Sequence, residues 1–381
     1  MATRSIEDII ERVTVYAESE VRGKAKEYDE NEQFPQETFD YLADLGVLRI
    51  PFNRQYGGLE GTFSDSLKVA QVVSRECTST GSVLLTQISF GITPIHQYGT
   101  AEQKQRYLPA LLSGEMLGAF AMNELDAGSD FKKMETIAVE KDTHWELNGS
   151  KNYISHAGKA GIYSVVSRTL SLDGEEGYGI FLVEAGMAGF TVGPQEEKMG
   201  IRGMPVASLG FDQVEIPKNL VLGGSPGGIE QCCAIKDYNK LFVSAQGIGI
   251  AEGVFERALT YMQKDRRFGQ RLIDLSTNQH KMADAYTEIC AAKALLGQVN
   301  EYRAEEVRTY AMIKLKASSV AVETAELAMQ LTGGYGYMRD NDIERFVRDA
   351  QLTRIYGGGS DAQRCIVSQP WIATNKRRNE E

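Results

Sequence analysis

Three textures follow one another along the 381 residues, and the change of period between them constrains the fold more than any single residue. Residues 1–117 carry apolar side chains at helical spacing: Ile9, Ile10, Val13 and Ala17, then Phe39, Leu42, Leu45 and Leu48. Thr100-Ala-Glu-Gln103 opens a further helix in the manner of a capping box, and Gly57, Gly58 and Gly61 mark a loop. Between 118 and 228 the period shortens. His144–Leu147 alternates between the turn residues Asp142-Thr143 and Asn148-Gly149, Tyr178–Val183 and Phe190–Val192 are β-rich, and Val214 and Ile216 alternate with polar neighbours. From 229 the helical spacing returns, as in Val254, Ala258 and Met262 or Val322, Ala325 and Met329. The expectation is a mainly α protein with a β domain: an N-terminal helical domain (1–117), a β domain (118–228) and a C-terminal helical bundle (229–381) with a frayed, charged tail from Asn375. That count suits the chain length.

Composition narrows the function. Asp and Glu number 52 against 41 Lys and Arg, a net charge of −11. Broad nucleic-acid binding needs a basic surface and is argued against. No apolar run reaches the roughly 18 residues of a membrane span, and the charged Ser5-Ile-Glu-Asp8 start is unlike a signal peptide. The five cysteines are scattered without a CxxC, which fits a reducing cytoplasm. His96, His144, His156 and His280 have no metal spacing. The phosphate-loop motif is absent, and Gly247-Ile-Gly-Ile-Ala-Glu-Gly253 places its third glycine one position late for a dinucleotide fingerprint, so helix packing is the expected use of those glycines.

Five segments in register carry a resemblance over nearly the whole chain. They are Phe120-Ala-Met-Asn-Glu-Leu-Asp-Ala-Gly-Ser-Asp130, Asn148-Gly-Ser-Lys-Asn-Tyr-Ile-Ser155, Asp265-Arg-Arg-Phe-Gly269, Gln330-Leu-Thr-Gly-Gly-Tyr-Gly336, and Arg348-Asp349 followed by Ile355-Tyr-Gly-Gly-Gly-Ser360. Together they resemble the acyl-CoA dehydrogenase family. The resemblance implies a middle β-barrel domain, a C-terminal four-helix bundle, and FAD bound between them in a homotetramer whose neighbouring subunit completes each flavin site. It implies flavin contacts for Phe120, Met122, Asn123, Tyr153, Ile154 and Ser155. Ser129 is implied near pantetheine or pyrophosphate, Arg266 and Phe268 near the pyrophosphate, Gln330, Gly333 and Gly334 against the adenosine and pyrophosphate of a neighbour's FAD, and Gly359 and Asp361 at the adenine-side phosphates. Ser129, Lys240, Tyr356 and Gly357 are implied against the substrate. Read without the resemblance, Gly333-Gly334 would be a helix stop and turn, Tyr153 barrel packing, and Ser129 an N-cap before Asp130, each a lesser alternative to the site role.

The family removes an α-proton from an acyl thioester while a hydride leaves the β-carbon, which requires a base over the α-carbon and donors on the carbonyl. The usual glutamate after Ile-Tyr is here Gly357, whose N–H remains available to the carbonyl. The alternative glutamate of one branch falls on Asn239, and the arginine after it on Lys240. Asp237 is two residues from that position, about 200° around a helix, and is a weak substitute. The arginine of the third segment is Asp265. Three readings follow: an FAD-dependent oxidoreductase acting on an acyl thioester of CoA or a carrier protein, in either direction, with a non-standard or missing base and with electron-transfer flavoprotein as a family partner; a flavin-dependent oxidase or monooxygenase; and a non-catalytic partner subunit.

Overall fold

The computed structural model describes residues 5–128, 133–265 and 269–378, the last six of these as backbone only. The first helices are fixed by local chemistry. Ser5 caps α1 (Ile6–Tyr16) by accepting from the Asp8 amide at 3.1 Å, which satisfies one of the free N–H groups of a helix start. A π-helical turn (Ala17–Val21) joins α1 to α2 (Arg22–Glu30). Helix α3 (Gln36–Leu45) stops at Gly46, where φ is +97°. Reciprocal capping boxes start α4 (Phe63–Glu76) with Thr62 and Asp65, and α7 (Ala101–Ser113) with Thr100 and Gln103. Between them lie α5 (Thr78–Thr86) and α6 (Thr93–Tyr98), joined by a second π-helical turn at Gln87–Ile92. Every residue of α5 is buried.

Seven strands form one curled sheet: β1 (Gly118–Ala121), β2 (Ile137–Glu140), β3 (His144–Ser155), β4 (Ile162–Leu170), β5 (Glu176–Glu184), β6 (Phe190–Gln195) and β7 (Val206–Pro217). One edge of β4 pairs with β5 along its length. Its other edge is shared, β1 pairing with the first half (Gly118↔Ile162) and β2 with the second (Ile137↔Arg168). The chain leaves the sheet between β1 and β2, so this gap presents the loop that starts at Met122. Strand β3 crosses from β2 to β7 and runs through Asn148-Gly149 without turning. The second turn expected there is an irregularity in register between Leu147 and Gly149. A Cβ on Gly149 would lie 2.7 Å from the Thr136 Cα, so the glycine lets the two backbones approach.

The C-terminal part consists of α8 (Gly228–Met262), α9 (Ser276–Leu296), α10 (Val307–Thr332), a single turn α11 (Gly334–Tyr337), α12 (Ile343–Thr353) and α13 (Ser360–Arg378). Helix α13 continues into the tail expected to fray. With 35 residues, α8 is the axis of the molecule. Its glycines are the device that lets it run against α4 and α10: a Cβ on Gly249 would lie 2.3 Å from the Gln71 carbonyl oxygen, one on Gly253 2.1 Å from that of Arg75, and one on Gly247 3.1 Å from that of Ala317. The dinucleotide-like glycines therefore serve helix packing. Buried ion pairs then tie helical parts together. Arg257 bonds Glu76 at 2.9 Å, Arg348 bonds Asp29 at 2.6 Å, and the Ile201 amide donates to Asp349 at 2.5 Å. Arg348-Asp349, part of the fifth segment, are thus structural anchors. All five cysteines are free thiols, and no helix among the described residues is long and apolar enough to cross a membrane.

His156, fully buried behind β3, donates Nδ1–H to the Gly118 carbonyl at 2.9 Å, and burial pushes its pKa down to about 4. His96 is also lowered to about 4 by burial. Below the ordinary value of 6.5 the unfolded chain binds protons that the folded chain refuses. Stability should therefore fall as pH drops from about 6.5 to 4, by roughly 3 kcal/mol for His156 alone. Thermal midpoints across this range test it, and His156→Gln should flatten the dependence; an unchanged slope contradicts the assignment.

Candidate active site

A cavity of about 160 Å³ lies where the β1–β2 loop, the end of β3, the N-terminal half of α8 and the α12–α13 loop meet. Its sheet wall is Phe120, Met122, Asn123, Gly128, Tyr153, Ile154 and Ser155. The register shift between Lys151 and Ile154 bends β3 there, and Tyr153 sits at φ +59° with its ring 58% exposed. Its neighbour Ile154 is buried, as the sheet alternation requires. The loop is held to β3 by a buried clamp. Lys151 Nζ lies 2.6 Å from Glu124 Oε1 and 3.2 Å from the Met122 carbonyl oxygen. Glu124 also accepts from the amides of Glu135 (2.6 Å) and Thr136 (3.1 Å), and the Asn152 amide donates to the Asn123 carbonyl at 2.8 Å. Burial opposes both charges. The hydrogen bonds nevertheless hold the Glu124 carboxyl below its ordinary value, while Lys151 is lowered to about 8.

The helical wall is Phe90, Lys236 and the loop Ile355–Gly359. Phe90 stacks on Phe120 with ring centres 5.2 Å apart. Gly357 and Gly358 have φ of +65° and +93°, conformations that disfavour a side chain. The Gly358 carbonyl is fixed from behind by Lys314 Nζ at 2.7 Å and Gln363 Nε2 at 3.0 Å. Burial, reinforced by Lys240, lowers Lys314 to about 8.

The two positions from which a carboxylate base is missing lie side by side. A Cβ on Gly357 would be 3.4 Å from Asn239 Oδ1 and 3.1 Å from Val243 Cγ2. Asn239 is fully buried and its orientation follows from its partner. The Ser89 hydroxyl donates to the Leu85 carbonyl at 2.6 Å, so it can only accept from Asn239 Nδ2, at 2.8 Å. Asn239 Oδ1 is left facing Gly357 without a partner. Asp237 does not line the cavity; it is buried in an ion pair with Lys240. Lys240 is likewise behind the wall rather than on it. No Asp or Glu is among the described residues lining this cavity.

The structure thus brings together Phe120, Met122, Asn123, Tyr153, Ile154, Ser155, Tyr356, Gly357 and Gly359. It leaves others apart. Gln330, Gly333 and Gly334 are exposed at the end of α10, and Asp361 is exposed and paired with Arg364 at 2.7 Å. Ser129, Arg266 and Phe268 lie outside the described residues. Sequence reasoning missed Phe90, Lys236, Lys314 and Gln363. Only Lys236 left a signal, since it shares a helical face with Asn239 and Lys240.

A flat aromatic cofactor fits this cleft. Apolar faces come from Phe90, Phe120 and Ile154, polar edges from Asn123 and Ser155, and the glycine loop admits close backbone approach.

Comparison with known proteins agrees in all three parts of the chain. The acyl-CoA dehydrogenase N-terminal domain matches residues 3–115, the middle domain 119–214 and the C-terminal domain 228–370. The chain is 35% identical over 370 residues to the short-chain specific acyl-CoA dehydrogenase of Clostridium acetobutylicum, covering 96% of this chain and 97% of that one. It is 34% identical over 374 residues to the acryloyl-CoA reductase (NADH) of Anaerotignum propionicum, with 96% and 94% covered. The butyryl-CoA dehydrogenase structure from Megasphaera elsdenii superposes with a TM-score of 0.91 at 30% identity, covering 98% of this chain and 99% of that one. The chain belongs to the acyl-CoA dehydrogenase family of FAD-dependent oxidoreductases.

Proposed function

We propose that this protein interconverts a saturated and an α,β-unsaturated acyl thioester, carried on CoA or on a carrier protein, in the cleft between the sheet and the C-terminal helices. The observation that carries the reading is the convergence of the second and fifth segments, Tyr153–Ser155 and Tyr356–Gly359, on opposite walls of one cleft. FAD supplies a two-electron hydride acceptor or donor when bound. The chain's own groups do the rest. Asn123 and Ser155 face the polar edge of the ring, and the Glu124–Lys151 clamp keeps that wall in place. The Gly357 amide polarises the thioester carbonyl, held in position because Lys314 and Gln363 immobilise the next carbonyl along the loop. Neither customary carboxylate takes part in the proton step. Relatives named as dehydrogenases and a reductase favour this reading over an oxygen-using enzyme or an inactive subunit.

The same proposal assigns Ser129, Arg266 and Phe268 to the FAD and substrate phosphates. Gln330, Gly333, Gly334 and Asp361, exposed at the surface of the helical bundle, are assigned to the FAD of a neighbouring subunit in a homotetramer. Exposed Tyr286, Met312, Tyr337 and Trp371 on that bundle supply apolar area for such contacts. A cytoplasmic location and electron exchange with an electron-transfer flavoprotein belong to the same reading.

Anaerobic titration of the purified protein with saturated and unsaturated thioesters tests it. One saturated thioester should bleach the flavin, or one unsaturated thioester should reoxidise the chemically reduced protein. A flavin inert to the whole panel in both directions contradicts the proposal.

A further inference from the structure

Removing both carboxylates leaves the α-proton without an obvious acceptor, and the cleft itself contains one ionisable group of the right kind. Among the described residues that line it, the ionisable side chains are Lys236, Tyr153 and Tyr356. Tyr153 belongs to the sheet wall, opposite the glycine loop, and the residue is 58% exposed. Tyr356 is disqualified by burial, which pushes its phenol upward, away from ionisation. Lys236 lines the helical wall of the cavity, as do Gly357 and Gly358. It lies three, four and seven residues before Asn239, Lys240 and Val243, so one stripe of α8 carries all four. Two members of that stripe, Asn239 and Val243, are the side chains a Cβ on Gly357 would touch.

We infer that Lys236 carries the proton to and from the substrate α-carbon. The inference rests on the thioester reading above. In dehydrogenation the neutral amine takes the α-proton: the Cα–H bond breaks, an N–H bond forms, and the released electron pair becomes the new carbon–carbon double bond. The β-hydrogen leaves with its own two electrons, accepted by the flavin. In the reverse direction the Lys236 ammonium returns the proton to Cα as hydride arrives at Cβ. The surroundings favour an amine that gives up its proton readily. Burial lowers Lys236, Cys233, Asp237 and Cys232 oppose this from the same helix, and Lys240 adds to the lowering. In the cleft the other ionisable groups are the phenols of Tyr153 and Tyr356.

Lys236→Met and Lys236→Arg test this together. Arginine keeps the positive charge but cannot serve as a base. Both variants should retain flavin and thioester affinity, while anaerobic bleaching by the thioester that bleaches the wild type slows by at least about 100-fold, the range of a lost general base. In the wild type that rate should rise with pH through a single ionisation that both variants lack. A readout independent of the flavin is the ε-amine itself. In ¹³C-methylated apoprotein, the signal absent from Lys236→Met should titrate below those of exposed lysines. Bleaching by Lys236→Arg at the wild-type rate, or a Lys236 signal titrating with the exposed lysines, overturns the inference and leaves the thioester reading standing. A wild-type flavin that no thioester bleaches or reoxidises overturns both.

Discussion

Lys151→Met should destabilise the protein by about 3–5 kcal/mol, the range found when one partner of a buried ion pair is removed. Lys151 is fully buried, and its removal strands the Glu124 carboxylate, 9% exposed, with two backbone amides and no cation. The same change frees the Met122 carbonyl and loosens the loop that forms one wall of the cleft, so FAD should be lost before the fold is. Denaturant midpoints and flavin content measured together check both parts. The double variant Glu124→Gln/Lys151→Met should recover much of the stability, because neither charge is then buried alone. A single variant within 1 kcal/mol of wild type would mean that the clamp is not what orders this wall.

A carboxylate can be restored at only one of the two vacated positions without forcing a side chain into a left-handed backbone conformation. Asn239→Glu adds one methylene to a side chain already directed at Gly357. In the Lys236→Met background it should raise bleaching of the flavin by the thioester that bleaches the wild type at least about 100-fold, by supplying the base that background lacks. Gly357→Glu should fail for a reason of backbone geometry. The residue has φ +65° and its Cβ would meet Val243 at 3.1 Å, so the substitution places a side chain in a left-handed conformation costing roughly 1–2 kcal/mol before the steric cost is added. Stopped-flow bleaching of the two variants decides between them. Equal gains in both would show that the loop adapts freely and that the glycine conformation is not a constraint.

Much of this architecture is written in local patterns. The capping residue Thr100, and the apolar spacing of α1 and α3, lead directly to helices that form where expected. The strand texture is legible for the same reason, though Asn148-Gly149 resembles a hairpin turn and proves to be an irregularity within one strand. A dipeptide pattern reports a need for unusual φ, not whether the chain reverses there. The motif residues of the cleft were accessible because glycines and hydroxyls at fixed spacing are local signatures. What stayed hidden depends on contacts between distant segments. Nothing in the sequence near Glu124 announces Lys151, and Lys314 and Gln363 reach Gly358 from two different helices. Asp237 reads as a weak spare carboxylate in the sequence, and only the structure shows its pairing with Lys240.

The cleft between the sheet and the C-terminal helices is proposed to hold FAD although no carboxylate among its described lining residues is available to the substrate. The most direct measurement is the flavin content of the purified protein, released by denaturation and compared with the chain concentration, before and after incubation with FAD. The account predicts a yellow protein approaching one FAD per chain, with occupancy lost in Lys151→Met. A colourless protein that takes up no added FAD would contradict it.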